Sequence, residues 1–135
     1  MFKEKYGWED GDEIITTPLT FVSTNHAIMY ENLKPVFADV DDSLCLDPES
    51  VLTNITDKTR AVMFVGIGGN IGQYNKIREI CDLQNIPLIL DAAHLAGTEV
   101  WRTYPQFSAS TIWQFGCYAY FSVFIFKEVI ILETG

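Results

Sequence analysis

Two short, unbroken apolar runs constrain the fold of this chain most strongly. Residues 61–65 (AVMFV) and 86–90 (IPLIL) contain no charged side chain, and both are flanked by segments with helical spacing. Strands that are covered on both faces in a parallel sheet have this pattern, whereas strands with one exposed face alternate apolar and polar residues. We therefore predict buried, parallel strands at both places, the second ending at Asp91.

The rest of the first ninety residues alternates between strand-like and helix-like patterns. Strands are predicted at residues 13–17 and 35–40, and helices at 20–31, from 47 onward and at 73–84. Such an alternation indicates βαβ units. We expect an α/β fold in one domain, with a mostly parallel sheet flanked by helices.

The predicted helices have specific starts and apolar faces. Asp47 can cap free N–H groups, and Pro48 suits the first helical position, where its missing donor costs nothing. The side chains expected to face the core are Phe21, Thr24 and Ile28 in the first helix, Val51, Leu52 and Ile55 in the second, and Ile77, Ile80 and Cys81 in the third.

Charge excludes some classes of partner. The formal net charge is −9, and the sequence has no cluster of lysine and arginine. Such a chain repels phosphate backbones and anionic lipid surfaces. We therefore expect no binding to nucleic acid or to membranes. Residues 115–126 are apolar but too few to span a bilayer.

The cysteines do not suggest a disulfide framework or a metal site. Cys45, Cys81 and Cys117 are widely separated, with no CxxC pair and no histidine at ligand spacing. The first residues are charged and lack the apolar core of a signal peptide. We expect reduced, buried thiols in a cytoplasmic protein.

Candidate functional residues fall where strands are predicted to end. Ligands of open α/β sheets bind beyond the carboxyl ends of the strands, where Asp91 and the turn at residues 17–21 are expected, with His94 three residues further on. Each residue also has a structural interpretation. Asp91 could cap the next segment, His94 could bond to nearby backbone, and Phe21 could belong to the core.

A glycine-rich loop at residues 66–72 (GIGGNIG) follows the first apolar run. It resembles a loop that cradles phosphate, but its spacing is not GxGxxG and no GK[ST] follows. A flexible connection between strand and helix explains it about as well, so a nucleotide-binding module is a minor third hypothesis.

Four motifs resemble those of one family in the family's order. Residues 11–24 (GDEIITTPLTFVST), 34–41 (KPVFADVD), 55–62 (ITDKTRAV) and 90–97 (LDAAHLAG) are similar to motifs of the DegT/DnrJ/EryC1/StrS aminotransferases. The resemblance implies the fold-type-I aminotransferase architecture, with residues 1–135 as part of its large domain. It also implies pyridoxal 5'-phosphate (PLP) as the cofactor, bound at the interface of a homodimer.

The resemblance assigns roles to three residues at the predicted sheet edge. Asp91 matches the carboxylate that faces the pyridine nitrogen of PLP, where an anion keeps that nitrogen protonated. Phe21 matches the aromatic residue that stacks on the ring. His94 matches the position near the ring hydroxyl.

The resemblance also suggests the lysine that forms the Schiff base. The family has an F-S-x-x-x-x-K motif, which residues 121–127 (FSVFIFK) satisfy, so Lys127 becomes the candidate lysine and Ser122 a phosphate ligand. A second register aligns residues 117–120 (CYAY) with the family's CYSF. It places Phe124 at the lysine position and Ala119 at the serine position. Lys127 could also be an edge-strand lysine that discourages sheet pairing.

The expected function is transfer of an amino group from an amino-acid donor to a keto-sugar nucleotide. Only ten residues precede Gly11, and the family's phosphate-binding turn lies upstream of that motif. By the same resemblance, the family's C-terminal domain would follow residue 135. An incomplete enzyme is therefore expected. The alternative is a non-catalytic α/β fragment, or a dimerisation module, that makes no covalent bond to PLP.

Overall fold

A sheet of four parallel strands and one antiparallel strand is present in the computed structural model, which describes residues 2–95 and 130–132. In the described residues the strand order is β2-β1-β3-β4-β5, and only β5 is antiparallel to its neighbour. The strands are β1 (Glu13–Thr16), β2 (Lys34–Phe37), β3 (Thr59–Val65), β4 (Leu88–Asp91) and β5 (Ile130–Leu132). The predicted α/β class with a mostly parallel sheet is confirmed.

Helices cover both faces of this sheet. They are α1 (Phe2–Tyr6), α2 (Val22–Tyr30), α3 (Pro48–Asn54) and α4 (Tyr74–Gln84). Ile28 of α2 packs with Ala61 and Met63 of β3, whereas Ile77 of α4 packs in a second cluster that contains Val62 and Phe64. Successive side chains of a strand point to opposite faces. The apolar run of β3 is therefore buried on both sides, as predicted.

The predicted start of α3 is confirmed. The Asp47 side chain accepts a hydrogen bond from the Glu49 N–H at 3.2 Å, and Pro48 occupies the first turn. Val51 is buried, but Leu52 is 51% exposed, so its predicted place on the apolar side was wrong. Successive residues of an α-helix lie about 100° apart around its axis, so the side chain next to Val51 points away from the core.

The structure also contains features that the patterns did not predict. Residues 2–6 form α1, and Ile67–Gly69 form a short 3-10 helix inside the glycine-rich loop. Trp8, which follows α1, packs with Ile28 and Leu33 on the α2 face of the sheet. The segment before β1 is therefore part of the core of this layer.

Ion pairs join the strands at the end of the sheet where β1 begins. Asp12 accepts from Arg60 at 2.8 Å, and Glu13 accepts from Lys34 at 2.9 Å and from Thr56 at 2.7 Å. The hydrogen bond from Arg60 lowers the pKa of Asp12 below its ordinary value. The acidic residues of the GDE segment therefore have a structural role. They lie far from the carboxyl ends of the strands.

Cysteines and membrane-spanning segments can be assessed in the described part of the chain. Cys45 and Cys81 are buried and free, and burial raises the pKa of the Cys81 thiol to about 12. Cys117 lies outside the described residues. Over residues 2–95 and 130–132, no helix has the length and hydropathy needed to cross a bilayer.

The order of the strands locates a crevice. The chain passes from β1 to β2 on one side, while β3 and β4 lie on the other side of β1. Such a reversal opens a crevice at the carboxyl ends of the strands. Thr16 ends β1, and Val65 and Asp91 are register partners at the ends of β3 and β4. The turn into α2 begins at this same end.

Candidate functional site

Asp91 is a buried carboxylate at the carboxyl end of β4. Asp91 is only 1% exposed to solvent. Its Oδ1 accepts the backbone N–H of Ala93 at 3.2 Å, and its Oδ2 accepts the hydroxyl of Thr24 at 2.9 Å. The bond to Ala93 is the local cap that a structural interpretation predicts. The bond to Thr24 is different, because it comes from α2, a distant part of the sequence.

Thr24 lies on the inner side of the first turns of α2. It is completely buried, and its hydroxyl lies 2.7 Å from the hydroxyl of Thr20. The predicted inward position of Thr24 is confirmed, but sequence reasoning missed its bond to Asp91. The signal was a polar residue at a helix position otherwise expected to be apolar, inside the motif at residues 11–24.

Phe21 is exposed at the start of α2. Its exposed fraction is 68%, and its backbone is extended, so it precedes the first helical residue. Its carbonyl accepts the Thr24 N–H at 3.1 Å, which puts Phe21 one turn away from the residue that contacts Asp91. The interpretation of Phe21 as a core residue was wrong, because the helix begins one residue later. The ring is accessible at the edge of the sheet where Asp91 lies.

His94 is exposed and is held by the glycine-rich loop. Its Nδ1 accepts the backbone N–H of Gly68 at 3.1 Å. This is the backbone bond that the structural interpretation predicted. A nitrogen that accepts a hydrogen bond carries no proton, so the proton of the neutral ring lies on Nε2. The bond therefore fixes which nitrogen of His94 can donate.

The glycine-rich loop uses its N–H groups within the protein. The N–H of Gly68 goes to His94, and that of Gly66 goes to the Asp91 carbonyl. Three further N–H groups are bonded within the loop, those of Gly69, Asn70 and Gly72. A phosphate cradle needs such groups to point at the ligand. The observed bonding favours the interpretation of this loop as a connection.

Side-chain contacts attach the glycine-rich loop to the segment at residues 41–45. Gln73 donates to Asp41 at 2.7 Å, and Asn70 donates to the Ser43 carbonyl at 2.9 Å. The hydrogen bond from Ser43 and then that from Gln73 lower the pKa of Asp41. A Cβ on Gly72 would lie 2.4 Å from the Ser43 hydroxyl, so only glycine permits this approach. These contacts with residues 41–45 thus hold the loop that bonds to His94 in place.

Lys127 and Ser122 lie outside the described residues, as do Phe124 and Ala119 of the second register. Among the described residues, the predicted site residues Asp91, Phe21 and His94 all lie at one edge of the sheet. Within residues 2–95 and 130–132, it contains no group of three or more histidine, cysteine or acidic side chains that could hold a metal ion.

Comparison with protein families decides the classification. The family model of the DegT/DnrJ/EryC1/StrS aminotransferase family matches residues 3–135. The chain belongs to this family. The predicted resemblance is confirmed, and PLP is the cofactor that the family implies.

Relatives of this chain include a scyllo-inosose aminotransferase and a polysaccharide biosynthesis protein. The chain is 34% identical over 133 residues to the L-glutamine:2-deoxy-scyllo-inosose aminotransferase of Streptomyces kanamyceticus, covering 98% of this chain and 29% of that protein. It is 35% identical over 126 residues to the spore coat polysaccharide biosynthesis protein SpsC of Bacillus subtilis, covering 93% and 31%.

Solved structures of similar fold include PLP-binding proteins. One is a GDP-4-keto-6-deoxymannose-3-dehydratase with a trapped PLP-glutamate geminal diamine. It is 29% identical with a TM-score of 0.64, and the match covers 70% of this chain and 25% of that one. The architecture is that of the fold-type-I PLP-dependent aminotransferases. The chain spans between 23% and 29% of the length of three of its curated relatives.

Proposed function

We propose that this chain carries the cofactor-ring site of a PLP-dependent aminotransferase that transfers an amino group to a keto-sugar nucleotide. One observation supports this most strongly. A buried carboxylate, Asp91, ends a central strand and is bonded to the first turns of α2, where Phe21 is exposed. Residues 1–135 would form part of the family's PLP-binding large domain.

The carboxylate at this edge of the sheet fits the cofactor. Asp91 already accepts hydrogen bonds from Thr24 and from the Ala93 N–H, but a carboxylate has about four lone-pair sites and can also accept from a cationic hydrogen-bond partner. The protonated pyridine nitrogen of PLP is such a partner. When bound, PLP draws electron density from the carbon that loses its proton during amino transfer. The role of Asp91 would be to hold the proton on the ring nitrogen throughout.

Phe21 and His94 would orient the ring. An accessible aromatic side chain at a helix start can stack on a planar heterocycle and fix its plane without exchanging protons. His94 has its Nδ1 occupied by the Gly68 N–H, which leaves Nε2 as the donor. That donor would bond to the ring hydroxyl. Both roles come from the family resemblance and are supported by the exposure of the two side chains.

The proposal gives the chemical step to Lys127. Its amine would hold the cofactor, and it would move the proton at the carbon that carries the donor's amino nitrogen. Ser122 would bind the cofactor phosphate. The amino-acid donor is supported by the name of the Streptomyces kanamyceticus relative, which uses L-glutamine. A homodimer, as the resemblance implies, would complete the site.

The same relative supports a second candidate substrate. Its name specifies 2-deoxy-scyllo-inosose, a cyclic polyhydroxy ketone without a nucleotide. A nucleotide is recognised partly through its charged phosphates, whereas a keto-cyclitol offers only uncharged hydroxyl and carbonyl groups. Activity assays that compare a keto-sugar nucleotide with a keto-cyclitol would separate the two candidates.

Reduction with borohydride tests the proposed function. The chain is mixed with PLP, its visible absorbance is recorded, and the complex is reduced and digested for mass spectrometry. We expect a pyridoxyl group on Lys127. We expect no such label in K127A, or in the wild type treated with borohydride without PLP. If the absorbance matches PLP mixed with a free amine, and no peptide is labelled, the chain is the non-catalytic module instead.

A further inference from the structure

Three oxygen atoms form a hydrogen-bonded row that leads to Asp91. Thr20 Oγ1 lies 2.7 Å from Thr24 Oγ1, which lies 2.9 Å from Asp91 Oδ2. An ionised carboxylate can only accept, so the single hydroxyl proton of Thr24 goes to Asp91. It follows that Thr20 donates to Thr24. The row therefore has one direction, from Thr20 through Thr24 to Asp91.

This row holds one oxygen of the carboxylate from the side of α2. The other oxygen accepts the Ala93 N–H from the turn after β4. Two donors from different elements fix the rotation of the Asp91 carboxyl group about its Cβ–Cγ bond, because turning the group would break both hydrogen bonds. Thr24 and Asp91 are both almost inaccessible to water, at 0% and 1% exposure. Water cannot easily replace a donor that is lost there.

We propose that Thr24 is a positioning residue, which acts through Asp91 to aim its carboxylate at the ring nitrogen of PLP. Thr20 supports it by fixing the direction of the Thr24 hydroxyl. This inference rests on the proposed function. It extends that function by assigning the orientation of Asp91 to a hydroxyl on α2, the helix whose start also carries Phe21.

A purely structural role for Thr24 predicts a different result. If its hydroxyl only satisfies a buried group, its loss lowers the free energy of unfolding but leaves the bound cofactor unchanged. If it aims Asp91, its loss changes the protonation of the ring nitrogen. The 15N chemical shift of 15N-labelled PLP reports this protonation directly and does not depend on catalytic activity.

The experiment compares the full chain with T24V, T24S and T20V. Valine has the shape of threonine without the hydroxyl, and serine keeps the hydroxyl. We expect the 15N signal of T24V to move toward the unprotonated value, with a Kd for PLP about fivefold higher, since one lost hydrogen bond is worth about 1 kcal/mol. T24S should match the wild type, and T20V should show a smaller change in the same direction.

The outcomes separate this inference from the proposed function. If the wild type binds PLP and T24V and T20V both retain its 15N shift, the positioning role is wrong and the proposed function stands. If T24V does not fold, an unshifted T20V overturns the role and a shifted T20V supports it. If the wild type binds no PLP, the proposed function itself fails, and this role for Thr24 fails with it.

Discussion

The backbone N–H of Gly68 donates to His94 Nδ1 at 3.1 Å, which joins the loop after β3 to the turn after β4. The two strands are neighbours in the sheet, so their carboxyl ends meet at one edge. A loop that could be taken for a ligand-binding device instead holds a candidate ligand-binding side chain. The contact makes the geometry of the site depend on residues that need not touch a substrate.

Replacing His94 should expose the Gly68 amide to exchange. H94A removes the acceptor, and a hydrogen bond worth about 1 kcal/mol corresponds to roughly a fivefold faster exchange of that one proton. H94N, which offers a carbonyl oxygen, is the matched control and should retain part of the protection. Amide hydrogen exchange followed by NMR measures both. Equal Gly68 rates in H94A and the wild type would mean that this bond is absent in solution.

Adding one methyl group at Gly66 should destabilise the fold through Leu95. A Cβ there would lie 2.4 Å from the nearest Leu95 side-chain atom, and Leu95 is buried. We expect G66A to lower the free energy of unfolding by about 1–3 kcal/mol, as is usual for overpacking. Urea denaturation provides the value.

The control for this experiment is Gly68. A Cβ at Gly68 meets nothing within 4 Å, and its cost arises only from the positive φ of +59°. In an L95A background, G66A should lower the free energy of unfolding much less than it does in the wild type. The decrease caused by G68A should be the same in both backgrounds. A G66A cost that is unchanged by L95A would contradict the packing shown here.

The ion pair between Asp12 and Arg60 should make stability depend on acid pH. The pKa of Asp12 is lowered, chiefly by the hydrogen bond from Arg60. Its stabilising contribution is therefore complete above the pKa of the unfolded chain, about 4, and is lost as the pH falls through the lower folded value. The difference in unfolding free energy between the wild type and D12N should shrink as the pH falls below about 4.

Exposed Asp42 offers the matched control for this pH series. D42N removes one negative charge from an exposed position and so controls for the change in net charge that D12N also makes. Thermal or urea denaturation between pH 3 and pH 7 follows both variants. A constant difference between the wild type and D12N across this range would show that the pair does not lower the pKa of Asp12.

Cys81 should be unreactive in the folded protein. Burial raises its pKa to about 12, and only a thiolate attacks alkylating reagents quickly. Iodoacetamide at pH 8 should label Cys81 only after denaturation. L83C places a thiol at a position that is 83% exposed on the same helix and should be labelled at once. Labelling of both at similar rates, read by peptide mass spectrometry, would argue against the described packing of α4.

Sequence patterns predicted the elements whose signals are local. The apolar runs of β3 and β4 and the Asp47-Pro48 start of α3 depend on neighbouring residues, and each is where it was expected. The five residues of α1 carry mixed charges and no apolar periodicity, so this helix was missed. Leu52 was misplaced because a short helix allows several apolar faces, and only tertiary packing selects one.

The site was predictable only in part for the same reason. Asp91 followed from its place at the end of an apolar run. Its bond to Thr24 joins residues 67 positions apart, which no local pattern reveals. Phe21 was ambiguous, because spacing alone does not distinguish the last residue before a helix from its first turn. The roles of Lys127 and Ser122 remain predictions from the resemblance.

In the proposed site, Asp91 recognises the protonated ring nitrogen of PLP. The most direct measurement compares the Kd of PLP with that of 1-deaza-PLP, in which carbon replaces this nitrogen, for the wild type and D91N. A charged hydrogen bond is worth about 1.5–3 kcal/mol, so the wild type should prefer PLP by roughly 10- to 150-fold. D91N should lose most of this preference. An equal preference in both proteins would contradict the claim.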